Sequence, residues 1–209
     1  KSKGNVINPD DVINEYGADA LRLYEMFMGP IESAKPWDEK GIEGSKKFID
    51  RVWRVLIESN KVQDKVNPNL ERDYNYTIKK VTEDYENMSF NTAIAQMMIF
   101  INAAFKEDII PIKMAEGFIK VLNPIAPHIT EEIWNKLGHE DTISYEKWPE
   151  YDETKIVNDK VNLAVQINGK LRDLVEINMD EEQEKVKELV HKSEKVKAYL
   201  AGHEIVKEI

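Results

Sequence analysis

From Ser45 to Leu137 apolar residues recur at helical spacing. Phe48, Ile49, Val52, Trp53 and Leu56 share one face, and Tyr74, Ile78, Val81, Tyr85 and Met88 advance by alternating steps of four and three. Ile94, Met97, Met98, Ile101 and Phe105 form the next stripe, with Asn91 as its expected cap. Pro111 opens a further helix carrying Ile112, Ala115, Phe118, Ile119 and Leu122. The chain is organised around the stretch that follows. Pro124 lacks the N–H a continuing helix needs, which stops the incoming helix near Leu122 or Asn123. Pro127 has a φ already set for a first helical position. Ile129, Ile133, Trp134 and Leu137 then face inward, Glu131 and Glu132 sit early, where the dipole favours carboxylates, and Gly138 marks the end. A corner this short holds two helices together, and four or five antiparallel helices on short connections make a bundle.

Upstream, Asn8-Pro9-Asp10-Asp11 starts a helix with Val12 and Ile13. A second runs from about Ala18 through Leu21, Leu23, Tyr24, Phe27 and Met28 to Gly29-Pro30. Glu32 to Gly44, with Pro36 and two glycines, reads as a polar linker. After Trp148-Pro149 the period drops to two. Val161, Leu163, Val165 and Ile167 alternate with polar or small residues, Asn168-Gly169 turns the chain, and Leu171 to Ile177 returns as the second strand of a hairpin. Asp180 and Ser193 are expected to cap two short helices, the second ending at Gly202, and Glu204 to Ile209 reads as the start of a strand. The expected fold is mainly α, an antiparallel helix bundle followed by a small, truncated α+β module.

The composition narrows the function. At 209 residues and 42% hydrophobic, the chain can fill a real core. No run approaches the roughly 20 apolar residues of a membrane span, and the start is too polar for a signal peptide. The absence of Cys removes disulfides and thiolate catalysis, and four scattered His argue against a metal site. A formal charge of −10 opposes generic polyanion binding, so nucleic-acid contact requires local basic stripes. One such stripe is Lys47, Arg51 and Arg54 at i, i+4 and i+7, which is either the solvated face of an amphipathic helix or a phosphate dock. Lys1-Ser2-Lys3-Gly4-Asn5 is either an exposed polar terminus or a phosphate loop, in which compact ammonium groups meet oxygens and Gly4 admits close approach. His128 reads as a capping or packed histidine, the paired carboxylates as dipole partners at helix starts, and the four Trp as core or corner aromatics. None of this makes a self-sufficient active site.

Longer matches carry a resemblance. Lys1-Ser2 followed by Lys3-Gly4-Asn5-Val6 is similar to the end of the class I signature Lys-Met-Ser-Lys-Ser. Gly17-Ala18-Asp19-Ala20-Leu21-Arg22-Leu23-Tyr24-Glu25-Met26-Phe27-Met28-Gly29-Pro30 resembles the segment that follows this loop in leucine enzymes, and valine and isoleucine enzymes lack its Glu-Met-Phe-Met-Gly-Pro wording. Lys35-Pro36-Trp37, Gly41-Ile42-Glu43-Gly44, Phe90 to Ala95, the Leu122–Trp134 elbow and Val165 to Arg172 continue the match in order. The chain thus resembles the C-terminal part of bacterial-type leucyl-tRNA synthetases, class I ligases that join leucine to tRNA through leucyl-adenylate using ATP. The resemblance implies three regions: 1–36 as the end of the catalytic region, 37–155 as an anticodon-binding-type bundle, and 156–209 as a truncated tRNA-binding module. It makes Lys1 the signature's second lysine, a catalytic group meeting charge on pyrophosphate, with Ser2 and Lys3 beside it at ATP. It assigns Lys47, Arg51 and Arg54 to tRNA phosphates, and Lys170 and Arg172 to the tRNA elbow. It implies ATP with Mg2+ in the intact enzyme and none on this segment, leucine and leucine tRNA as partners, a cytoplasmic monomer, and no activity for this segment alone. A competing reading of another class is a helical protein-interaction or scaffold module.

Overall fold

Asn8 begins the first helix, α1 (Pro9–Tyr16), by accepting the Asp10 N–H at 3.2 Å while Pro9 fills the first position. Gly17, at φ +91°, is the whole joint to α2 (Ala18–Phe27). The computed structural model describes residues 6–156, 160–178 and 183–201, and the chain divides into two compact units after Ile156. In the first unit α3 (Glu39–Trp53) starts well before Ser45, which corrects the linker expected over Glu32 to Gly44. Asp38 caps it by accepting the Lys40 N–H at 3.1 Å. Gly41 lies under the Tyr24 ring, where an added Cβ would stand 2.4 Å from Cε2. The Tyr24 hydroxyl accepts the Asp38 N–H at 2.8 Å. The glycine therefore marks a close helix–helix approach, and the buried Ile42 beside it is core.

A five-residue π turn, Arg54–Glu58, extends α3, closed by the Ser59 N–H on the Arg54 carbonyl at 2.9 Å. β1 (Val62–Gln63) follows, then α4 (Pro68–Glu86), which Asn67 caps by accepting the Asn69 N–H at 3.1 Å. Met88 leaves the expected α4 stripe; it is exposed, in a left-handed turn at φ +55°. In α5 (Phe90–Lys106) the cap position is Ser89, because its N–H is already turned onto the Asp84 carbonyl at 2.7 Å, so Asn91 lies inside the helix. β2 (Ile110–Pro111) pairs parallel with β1, a short pairing the sequence pattern did not suggest. α6 (Ile112–Leu122) and α7 (Pro127–Lys136) then form the elbow where the two prolines require it. No acidic residue occupies the first turn of α7, contrary to expectation for Glu131 and Glu132. Glu131 instead reaches forward to the Ile143 N–H at 3.2 Å and the Ser144 hydroxyl.

The interior is shared by α2 to α7. Phe100 and Phe118 stack at 5.3 Å between centroids, among Val52, Ile78, Ile94, Met97, Ile119, Leu122 and Ile133, all without solvent exposure. The segment after α7 runs along α4, with the Trp148 indole N–H on the Thr82 hydroxyl at 2.8 Å and the Asp152 N–H on the Asn75 side-chain oxygen at 2.7 Å.

The second unit is a hairpin with two helices. β3 (Lys160–Ile167) and β4 (Lys170–Asn178) are antiparallel, with Ile167 opposite Lys170 across Asn168 and Gly169. Both turn residues have positive φ, +52° and +74°, the conformation that makes Asn-Gly a hairpin signal. α8 (Gln183–Lys192) and α9 (Glu194–Leu200) follow, and Ser193 caps the latter through the Val196 N–H. Asp180, Gly202 and Glu204 to Ile209 lie outside the described residues. The architecture is mainly α with a small antiparallel sheet.

Candidate nucleic-acid interface

Ile42, Phe48, Ile49 and Val52 anchor α3 in the interior, which turns Lys47, Arg51 and Arg54 outward together. Lys47 is 78% exposed, and its only recorded partner among the described residues is Glu43 at 3.8 Å, a loose surface pair that contributes little. The Arg51 guanidinium is donated to the side-chain oxygen of Asn102 on α5. Asn102 is neutral, so this bond orients the guanidinium without neutralising it, and no carboxylate pairs with Arg51 among the described residues. The neighbouring Lys46 differs, being paired with Asp50 at 2.7 Å. Arg54 is exposed at the entry to the π turn.

The stripe continues onto α5. Ile99, Asn102 and Lys106 recur at i, i+3 and i+7, so the Arg51–Asn102 bond places this line beside that of α3. Phe105, expected to end the buried stripe, is instead 54% exposed. Lys61 donates to the Phe105 carbonyl at 2.8 Å and lies 5.4 Å from its ring centre. Sequence reading missed Lys61 and Asn102. Lys61 stands alone in a loop, and Asn102 is defined only by its distant partner.

At the elbow, the Asp19 carboxylate of α2 accepts the Ile129 N–H at 2.8 Å and the His128 N–H at 3.3 Å, and lies 2.8 Å from His128 Nδ1. Arg22, one turn on, donates to the carbonyls of Ile125 and Pro124 at 2.9 and 2.8 Å. His128, expected to cap or pack, does neither: its own N–H is capped by Asp19, and its ring, beside that carboxylate, is 73% exposed. A shallow cavity of about 270 Å3 opens here, lined by Tyr16, Gly17, Asp19, Lys46, Ile49 and His128.

In the second unit Lys170 is exposed at the start of β4. Arg172 lies over the Tyr199 ring at 4.2 Å and donates to its hydroxyl at 3.1 Å. Tyr199 is half exposed and carries the guanidinium. Next to it, the Ser193 hydroxyl, Lys195 and the Leu174 N–H hold the Asp173 carboxyl below the usual carboxylate range, tying hairpin to helix. Lys1, Ser2 and Lys3 lie outside the described residues. Among the described residues no cluster of His, Cys, Asp or Glu has metal-binding geometry, and no helix is long and apolar enough to cross a membrane.

The chain matches two family models in succession. Residues 1–38 match the class I tRNA synthetases (I, L, M and V), and residues 67–188 match the anticodon-binding domain of tRNA ligase. It is also similar to the synthetase in a crystal structure of the ternary complex of Agrobacterium radiobacter K84 agnB2 LeuRS, tRNA and LeuAMS. That similarity has 28% sequence identity and a TM-score of 0.75, and it covers 99% of this chain. The chain spans 29% of the length of that synthetase.

Proposed function

Since the chain belongs to the tRNA ligases through their anticodon-binding domain, we propose that it is the tRNA-binding part of a leucyl-tRNA synthetase. The observation that carries the reading is the likeness to the LeuRS of a tRNA complex over nearly the whole chain, at an identity above what a shared fold alone would bring. In this reading residues 1–36 close the catalytic region, 37–155 are the bundle that takes the tRNA stem, and 156–209 reach the tRNA elbow. The intact cytoplasmic, monomeric enzyme takes leucine, ATP with Mg2+ and leucine tRNA, and forms leucyl-adenylate before transfer. Lys1, with Ser2 and Lys3, serves ATP there. This chain by itself neither activates leucine nor charges tRNA.

Arg51 is the central cation of the RNA dock. A guanidinium held by a neutral amide keeps its full charge for a phosphate, and phosphate contacts set register and orientation more than sequence preference. Lys47 and Arg54 flank it, and Lys170 and Arg172 serve the second unit. The test is a salt titration of leucine-tRNA binding by the chain, as wild type and as Arg51→Ala. Loss of one phosphate contact lowers the slope of log K against log salt by about 0.7 to 0.9. Unchanged slope and affinity make Arg51 ordinary surface. Absence of tRNA binding together with a stable protein partner supports the scaffold reading instead.

A further inference from the structure

The bonds from α2 to the elbow join what the two family matches separate. Asp19 and Arg22 lie in the synthetase segment, 1–38, and the elbow lies within 67–188. The bonds are matched to the helix ends they meet. The Asp19 carboxylate sits at the positive N-terminus of α7, and the Arg22 guanidinium sits on carbonyls that follow the negative C-terminus of α6. The two side chains are three residues apart on α2, so they leave the same face and grip the bend from both sides. The elbow has no cap of its own, because the residue before Pro127 is Ala126, which has no side chain to accept a bond. The missing acceptor arrives from more than a hundred residues earlier in the chain. Asp19 is buried, so water competes poorly for these bonds.

We infer that this clamp fixes the bundle, and the RNA docked on it, against the segment that carries the class I signature, making Asp19 and Arg22 positioning residues for transfer to tRNA. The inference rests on the ligase reading above. Amino-acid activation, in which Lys1 to Lys3 take part in this reading, brings together small molecules only and needs no tRNA in register. Transfer also needs the tRNA end delivered in register, where a misplacement of about 1 Å can cost roughly a hundredfold. A loosened clamp therefore acts on transfer while sparing tRNA affinity, since the phosphate contacts lie on α3 and in the second unit.

The test uses the full-length ligase carrying this chain. Asp19→Asn keeps the side chain's size and one acceptor oxygen but loses its charge, and Arg22→Lys keeps charge but loses the two-pronged donor. Each is measured for leucine-dependent ATP–pyrophosphate exchange, for tRNA Kd, for single-turnover transfer from preformed adenylate, and for Tm. The expected result is transfer slowed about tenfold or more, with exchange and tRNA Kd within about twofold of wild type. Transfer at the wild-type rate in both variants overturns the inference. So does a parallel fall of exchange, transfer and Tm, which would leave only a structural role. If the wild-type enzyme neither exchanges with leucine nor binds its tRNA, the ligase reading itself fails and takes this inference with it.

Discussion

Gly117 on α6 faces the ring of Tyr74 on α4. A Cβ added to the glycine would stand 1.9 Å from the Tyr74 oxygen, 2.9 Å from Cζ and 3.1 Å from Cε2. Ordinary carbon–oxygen contact begins near 3.4 Å, so Gly117→Ala drives the ring back by about 1.5 Å. Phe100, on which the ring packs at 6.0 Å between centroids, limits its retreat. Burial raises the Tyr74 hydroxyl pKa to about 12, with the nearby Glu116 carboxylate adding to the shift. Two terms oppose each other. Alanine is about 1 kcal/mol better than glycine inside a helix, while overpacking a closed core costs about 1–3 kcal/mol. With a rigid aromatic in the way the overpacking term belongs at its upper end, and the net is a loss of about 2 kcal/mol. Tyr74→Phe removes the closest atom and so relieves much of the clash. In that background Gly117→Ala should cost about 1 kcal/mol less. The assay is urea unfolding followed by tryptophan fluorescence, because Trp37, Trp53, Trp134 and Trp148 all lie in the first unit and report on it alone. A single Gly117→Ala at least as stable as the parent would mean that propensity wins. Effects additive within about 0.3 kcal/mol would show that the two sites do not touch.

The raised pKa of Tyr74 has its own consequence. The folded state holds the phenol proton up to about pH 12 while the unfolded chain releases it near 10, so stability is full below pH 10 and falls as pH rises from 10 to 12. The loss is about 2–3 kcal/mol, read as a drop in urea midpoint; an equal drop in Tyr74→Phe would assign it to other groups, of which Tyr85, also raised by burial, is the first to examine. Gly169→Ala places a side chain at φ +74° and should cost the hairpin about 1–2 kcal/mol. Amide exchange across β3 and β4 would speed by roughly tenfold with the tryptophan-monitored unfolding of the first unit untouched, and undiminished protection would show the turn adapts.

The features legible in sequence were those whose causes are local. Pro124 and Pro127 act on their own backbones, so the elbow and the ends of α6 and α7 could be placed from the chain alone. Asn168-Gly169 specifies its turn through the φ each residue tolerates, and Ser193 caps a helix three residues away. The misreadings share the opposite property. Gly41 resembled linker because a glycine within a helix is unfavourable in isolation; only Tyr24, arriving from another helix, makes its missing Cβ an advantage. Glu131 and Glu132 suited a dipole argument, but Asp19 had already filled the N-terminus they were expected to serve. The β1–β2 pairing joins two residues to two with α4 and α5 between them in the chain, too little for any periodicity to announce.

The same division runs through the candidate interface. Spacing alone put Lys47, Arg51 and Arg54 on one face, because helical period fixes direction whatever the side chain does there. Whether a cation on that face can serve a phosphate depends on what compensates it, and sequence is silent on that. Lys46 and Arg51 are both cations on α3, yet one is answered by a carboxylate and the other by an amide. A phosphate approaching Lys46 must compete with Asp50 for the ammonium, whereas at Arg51 it meets a guanidinium already oriented and still charged. The distinction comes from Asn102, a residue with no charge and no place in any motif. Arg172 has the same kind of support from Tyr199, whose ring and hydroxyl fix the guanidinium without neutralising it. In both units an arginine of the proposed RNA dock is oriented by a neutral neighbour brought in by the fold. A substitution series for RNA contacts should therefore include Asn102 and Tyr199 beside the arginines themselves.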